Sequence, residues 1–260
     1  GCFDLKPPPR IGIIAALHQE LAAVLGRLPG ERREVAAGRE FRRGHWHGHE
    51  LVAVLSRVGK VAAATTATVL IERFGVDRIV FTGAAGGLAE GVAVGDVVVA
   101  RAFLQHDLDA SPLFQRHEVP LYGRARFGTD PALFDALAAA ARAVLAQPAS
   151  TLGPDAVREF ALGAPAVHEG LVVSGDRFVA TGAESAALRQ ALPDALAVEM
   201  EGAAVAQVCH DYGVPFAALR TVSDRADDAA HVDFTRFIDQ VASRYSAAVL
   251  EQYFRLLPKS

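Results

Sequence analysis

The sequence predicts an α/β protein: a single domain with a central mixed, largely parallel sheet flanked by helices. Short apolar runs alternate with longer segments of helical period along the chain, the pattern that places helices on the faces of a sheet. With 260 residues and 51% hydrophobic content, the chain can bury one large core. Glycine-rich or acidic junctions follow several of the apolar runs, where open α/β sheets set their sites. A net charge of −4 without a basic stripe argues against nucleic acid and for a small-molecule partner. No apolar run approaches the roughly 20 residues of a membrane helix, so no membrane partner is expected. Cys2 and Cys209 make no disulfide framework. Gly1-Cys2 reads as a processed start or an added remnant. A cytoplasmic location is expected, and an exported lipoprotein is the other reading of that dipeptide.

Residues 1–10 end in Pro7-Pro8-Pro9-Arg10, a stiff extended tail outside the fold, and residues 11–260 form the domain. Ile11 to Ala16 reads as a buried strand, and Leu17 to Leu21 opens a helix that carries Glu20 in its first turn. Glu40 to Ser56 reads as a hairpin turning near Gly48. His45, His47 and His49 alternate at its tip, but without a carboxylate or thiolate pattern beside them no metal is expected. Gly59-Lys60 leads into a helix from Val61 to about Phe74. Arg78 to Thr82 is a strand, and Gly83-Ala84-Ala85-Gly86-Gly87 follows as a loop whose amides can approach a ligand. That loop matches neither dinucleotide nor phosphate-loop spacing, so no nucleotide cofactor is implied. Val97 to Val99 is a further strand, and Gln105 to Gly123 is a proline-broken surface segment suited to lining a site. Pro131 to Leu145 is a helix, Gln147 to Glu169 is irregular, and Leu171 to Val173 is a strand leading to Ser174-Gly175-Asp176-Arg177-Phe178. The helix from 200 to 212 stops at Gly213 with Pro215 behind it. Phe216 to Val222 is the last strand, capped by Ser223-Asp224, and Phe234 to Leu257 is one amphipathic helix.

At Ala197-Val198-Glu199-Met200-Glu201-Gly202 a short apolar run ends in two carboxylates as a helix begins. Glu199 and Glu201 share strand parity but diverge once the helix starts, so they need not do the same job, and Glu201 is the stronger candidate. Taken alone, each acid also reads as an ordinary first-turn carboxylate. Glu20, the glycine loop, Phe178, Glu201 and Asp224 all fall just past expected strands, which in a mostly parallel sheet converge on one crevice. Three acids with an aromatic suit a glycosidic bond broken through an oxocarbenium-like state.

These residues also carry a resemblance. Ile11 to Glu20, Val58-Gly59-Lys60-Val61-Ala62-Ala63, Thr82 to Leu88, Val94-Gly95-Asp96, Ser174 to Phe178, Val198 to Glu201 and Arg220-Thr221-Val222-Ser223-Asp224 run in the order found in bacterial 5′-methylthioadenosine/S-adenosylhomocysteine nucleosidases. The chain resembles that family, part of the nucleoside phosphorylase superfamily. The resemblance implies that superfamily's fold and, without metal or organic cofactor, hydrolysis of a 5′-modified adenosine to adenine and a 5′-thioribose. It implies that Glu20 activates the attacking water, with Arg220 close by. It implies that Glu201 holds the ribose hydroxyls, with Met200 against the sugar and Glu199, Ala84 and Gly86 in the binding set. Asp224 then serves adenine N7, oriented by Ser223, while Phe178 stacks on the base and the Val179 backbone reads its edge. Val58 and Phe234 surround the 5′-alkylthio group. A homodimer is also implied, and Leu108, Leu113, Phe114, Val119 and Leu121 in the Gln105 to Gly123 segment point the same way.

The best-known members carry Ser where this chain has Ala84, so a hydroxyl contact is missing there. Rival readings are a purine nucleoside phosphorylase, a related aminofutalosine nucleosidase and a non-catalytic nucleoside-binding protein. The first strand leads to Glu20 rather than to a phosphate loop, which favours water. Retention of a water-activating acid argues against binding alone.

Overall fold

The computed structural model describes residues 8–227 and 234–258. Residues 1–7 of the expected tail, with the Gly1-Cys2 start, lie outside the described residues. The elements run β1 (Arg10–Ala15), α1 (His18–Leu25), β2 (Glu31–Ala36), β3 (Arg39–Trp46), β4 (His49–Leu55), α2 (Lys60–Glu72), β5 (Arg78–Gly87), β6 (Val97–Gln105), β7 (Arg126–Gly128), α3 (Pro131–Leu145), α4 (Pro148–Leu152), α5 (Pro154–Glu159), β8 (Val167–Ser174), α6 (Gly182–Ala191), β9 (Ala195–Glu199), α7 (Gly202–Tyr212), β10 (Phe216–Asp224), α8 (Phe234–Phe237) and α9 (Ser243–Leu256), with a π-helical turn at Ile238–Ala242 joining the last two. The C-terminal segment is thus one continuous helix, as its period predicts, interrupted by a π-turn.

The fold begins one residue earlier than the sequence suggests, because Arg10 pairs with Glu50 on β4 and its amide donates to Asp77. Two elements carry too little apolar period to stand out. β2 is an exposed, charged edge strand that closes the β3–β4 hairpin into a meander, and α6 has a single buried residue, Ser185. The segment from Gln147 to Glu169 is not irregular: two prolines at helix first turns, Pro148 and Pro154, start α4 and α5.

The sheet is mixed and curls on itself. β5, β10, β6, β8 and β9 close into a ring, and β1, β4, β3 and β2 extend from β5 as a wing. α1, α3 and α9 cover one face and α2 with α7 the other. Helices on both faces agree with the sequence pattern.

The glycine run is the main local departure. Gly83 to Gly87 is not a loop but the second half of β5. Thr82 still pairs with Ala15 of β1, whereas Gly86 and Gly87 pair with Val198 and Ala197 of β9. The strand therefore exchanges one neighbour for another along its own length. Glycine in a strand marks this kind of corner, where the backbone must bend and other chains approach closely. The expected single crest of parallel strand ends fails for β9, which meets β5 antiparallel. Curling of the sheet, not a common strand direction, brings its carboxyl end to the others.

Candidate active site

The site lies where β5, β9 and β10 meet. Gly86 is paired with Val198 on one side and Asp224 on the other. A Cβ there would stand 2.7 Å from Ala226 Cβ and 3.0 Å from Asp224 Oδ1. Only glycine lets that carboxylate and the turn behind it close onto the strand. A cavity of about 250 Å³ opens at this point. It is lined by Ala16 and Leu17 after β1, Val58 after β4, Ala84 to Gly86 of β5, Arg177, Phe178 and Val179 after β8, Val198 to Glu201 after β9, Ser223 and Asp224 of β10, and Phe234 of α8. Every site residue expected from the sequence lines this cavity except Glu20 and Arg220, which are buried beside it. Ala16, Leu17, Ala85, Arg177 and Val198 were not among those expected. Small or apolar residues at strand ends give no chemical signal in sequence.

The two carboxylates after β9 separate by environment. Glu199 Oε2 accepts from Arg220 Nη2 at 2.6 Å and Nε at 3.1 Å, and from the Gly202 amide at 2.9 Å. Its Oε1 accepts from the Gly202 amide at 3.0 Å, the Glu201 amide at 3.3 Å and the Ser174 hydroxyl. Glu199 thus satisfies the free amides at the start of α7, where the helix dipole also favours a negative charge. Its oxygens are committed to the protein although it borders the cavity. Glu201, by contrast, receives one hydrogen bond among the described residues, from the Gly59 amide to Oε2 at 2.9 Å. Burial, and then the charge of Glu199, raise its pKa.

Gly59 has φ of 96°, a conformation that favours glycine, and a Cβ there would press on Asp176 Oδ1 at 3.1 Å. The next amide, of Lys60, donates to Asp176 Oδ1 at 2.7 Å. The start of α2 therefore binds two carboxylates, one from each loop beyond β8 and β9. Lys60 Nζ reaches Asp107 Oδ1 at 2.8 Å and Gln105 Oε1 at 3.0 Å, tying in the loop after β6.

Asp224 Oδ1 accepts from the Ala226 amide at 2.7 Å and Oδ2 from the Ser223 hydroxyl at 2.8 Å. Burial outweighs both bonds and raises its pKa. Glu20 is fully buried, and desolvation lifts its pKa to about 7 against the lowering effects of Ser246 and Arg220. Its Oε2 accepts from Ser246 Oγ at 2.6 Å, and its Oε1 has no hydrogen-bond partner among the described residues. Phe178 is half exposed at the cavity edge while Val179 beside it is buried.

No group of three or more His, Cys, Asp or Glu side chains is placed to hold a metal ion among the described residues. The three histidines near the hairpin tip do not share a face. His45 is exposed and His49 buried, and His47 sits at the turn with φ of 48° and bonds Glu251 Oε2 at 3.0 Å.

A model of the phosphorylase superfamily matches residues 10–255. The chain belongs to this superfamily. A 5′-methylthioadenosine/S-adenosylhomocysteine nucleosidase of Shewanella putrefaciens is 34% identical over 242 residues, 93% of this chain and 96% of the relative. A solved Neisseria meningitidis nucleosidase of the same name, in complex with methylthio-immucillin-A, superposes with TM-score 0.83 and 33% identity over 95% of this chain and 99% of that one. The futalosine hydrolase of Helicobacter pylori superposes with TM-score 0.81 and 31% identity, over 96% and 98%. In this chain the closed part of the sheet carries the cavity.

Arg220 and Glu199 are 1% and 3% exposed at their side chains, so neither charge has water to fall back on. Arg220→Met should lower the unfolding free energy by about 3–5 kcal/mol, since it strands a buried carboxylate. Glu199→Gln in that background should recover part of the loss by removing the stranded charge. Urea denaturation measures both, and a loss under about 1 kcal/mol for Arg220→Met would refute this view of the pair.

Proposed function

We propose that the protein hydrolyses the N-glycosidic bond of a 5′-thio-substituted adenosine, 5′-methylthioadenosine or S-adenosylhomocysteine, to adenine and the 5′-thioribose. The supporting observation is one cavity bordered by Glu201 and Asp224 with Glu20 buried beside it, each with a raised pKa and each held differently. The names borne by the Shewanella and Neisseria relatives support the same substrates.

Asp224 serves as the acid at adenine N7. Its burial favours the protonated form, which suits a carboxyl that must give up a proton near neutral pH. Glu201, with an oxygen to spare, takes the ribose hydroxyls and stabilises the positive charge that grows on the ring. Glu20 takes the proton of the attacking water on its unpaired Oε1. A pKa of about 7 makes it a better base than an ordinary carboxylate, and the base is lost by protonation as pH falls through about 7. Arg220 donates to Glu199 and to the Leu219 carbonyl at 3.0 Å. Its part is therefore to fix Glu199 and to favour the ionised form of Glu20 by its charge. Met200 packs on the sugar, Phe178 and Val179 take the base, Ser223 orients Asp224, and Val58 and Phe234 surround the 5′ substituent. Ala84 and Gly86 leave room for the nucleoside against β5. No metal or organic cofactor has a part in this scheme. A cytoplasmic location belongs to the same reading, on the chemistry of a metabolic nucleoside substrate.

The working unit in this proposal is a homodimer. Leu113 and Leu121 are 85% and 93% exposed, and Val58 and Val61 at the start of α2 are 69% and 79% exposed. Leu108 and Val119, two of the five apolar residues expected to face a partner, instead pack on their own subunit. Exposed apolar side chains of this kind, with Val58 among them at the cavity wall, suit a second copy of the chain.

The proposal is tested first by adenine release from both nucleosides in phosphate-free buffer. The rate should equal that with phosphate, and a ribose 1-phosphate product would identify a phosphorylase instead. Asp224→Asn keeps the shape and removes the acid, so kcat should fall by about two to four orders of magnitude. Unchanged kcat in this variant would assign base protonation to another group. Leu113→Asp with Leu121→Asp should shift light scattering toward monomer and lower activity together. A parent protein that is monomeric and fully active would end the dimer proposal.

A further inference from the structure

The C-terminal helix reaches Glu20 through a buried chain of hydroxyls. Ser246 on α9 is fully buried, as is Thr82 on β5. Thr82 Oγ1 donates to Ser246 Oγ at 2.7 Å, and Ser246 Oγ donates to Glu20 Oε2 at 2.6 Å. Thr82 stands 3.5 Å from the same carboxylate oxygen, too long to hold it alone. The result is a carboxylate with one oxygen fixed from behind and the other, Oε1, buried and without a hydrogen-bond partner among the described residues.

We infer that Ser246 is a positioning residue for the hydrolysis: with Thr82 behind it, it fixes Oε2 of Glu20 so that Oε1 is the oxygen presented to water. This inference rests on the reading of Glu20 as the water-activating base. A rotatable carboxylate in an apolar surround would share its proton affinity between two equivalent oxygens and lose the orientation that water attack needs. A hydroxyl that donates to the ionised form also favours that form, so it acts on the pH range of the base as well as on its aim. The other elements packed on Glu20 bring few competing charges. β10 presents Arg220, itself paired with Glu199 of β9, while β5 and α9 contribute the Thr82 and Ser246 hydroxyls. Protonation of Glu20 at Oε1 would leave Ser246 donating to Oε2 and would take away the lone pair presented to water, so the base would be lost.

Ser246→Ala removes the donor and one oxygen atom from a packed helix. The expected result is a kcat/KM profile whose acid limb moves up by about one pH unit, the tenfold change in proton affinity that losing one charge-assisted hydrogen bond corresponds to. At high pH, where Glu20 is ionised in both proteins, kcat should still be several-fold lower, while affinity for adenine as a product inhibitor should hold. Thr82→Val, nearly the same shape, should give a smaller shift of the same sign. The pair should be non-additive, because Thr82 acts largely through Ser246. If Ser246→Ala does not fold, Thr82→Val alone carries the test, with the same readout. A uniform fall in kcat at all pH values with an unmoved acid limb, or additive shifts from the two variants, would overturn the inference. If the parent releases no adenine from either nucleoside, the underlying reading fails instead, and the two failures are therefore distinguishable.

Discussion

A buried guanidinium binds the active end of this molecule together. Arg220 projects from β10, stacks 4.1 Å from the centroid of Phe81 on β5, and pairs with Glu199 at the end of β9. Those strands border the cavity. Glu199 in turn accepts the first amides of α7, so the direction of that helix and the position of Glu201 depend on one ion pair. A pair this deep gains stability only if both charges are fully hydrogen-bonded. Here Ser174, two amides and two carbonyls complete the set. Its contribution is best understood as fixing geometry rather than as adding net stability.

Around that fixed pair, acids of similar kind are given different tasks by their surroundings. Glu199 is saturated by donors and cannot serve a ligand without giving one up. Glu201 has one donor, Glu20 is held on one oxygen, and Asp224 is clamped by an amide and a hydroxyl. Burial raises the pKa of the last three, so each lies closer to neutral pH than a free carboxylate. Environments that push like groups apart are how one fold runs acid and base chemistry at a single pH.

Much of this was legible in the sequence, and the failures have physical reasons. β1, β5, α3 and β10 were recognisable because continuous apolar runs and flanking caps leave little choice. The acids at strand ends were recognisable as chemistry because such residues are rarely buried without purpose. β2 was invisible because an edge strand exposed on both faces has no apolar period. The glycine run reads as a loop in sequence because glycine disfavours strands on average, and only the exchange of neighbours along β5 explains its use here. The division between Glu199 and Glu201 needed the position of Arg220, which lies 21 residues further along the chain from Glu199. Ser246 gave no signal at all. In an amphipathic helix a small polar residue on the buried face passes for packing, and its partner Glu20 is 226 residues away.

Ala84 shows how closure of the sheet limits what a substitution at the site can do. It is paired with Thr221 on β10 and lines the cavity, between Gly83 and Gly86, which each abut a functional side chain. A Cβ on Gly83 would stand 2.9 Å from Ala16 and 3.3 Å from the Arg220 guanidinium carbon, so the strand cannot shift to compensate for a change at Ala84. The Ala84 methyl group therefore sits in the cavity wall without displacing the acids around it. The environments of Glu20, Glu201 and Asp224 are set by burial and by their hydrogen-bond partners, none of which is Ala84.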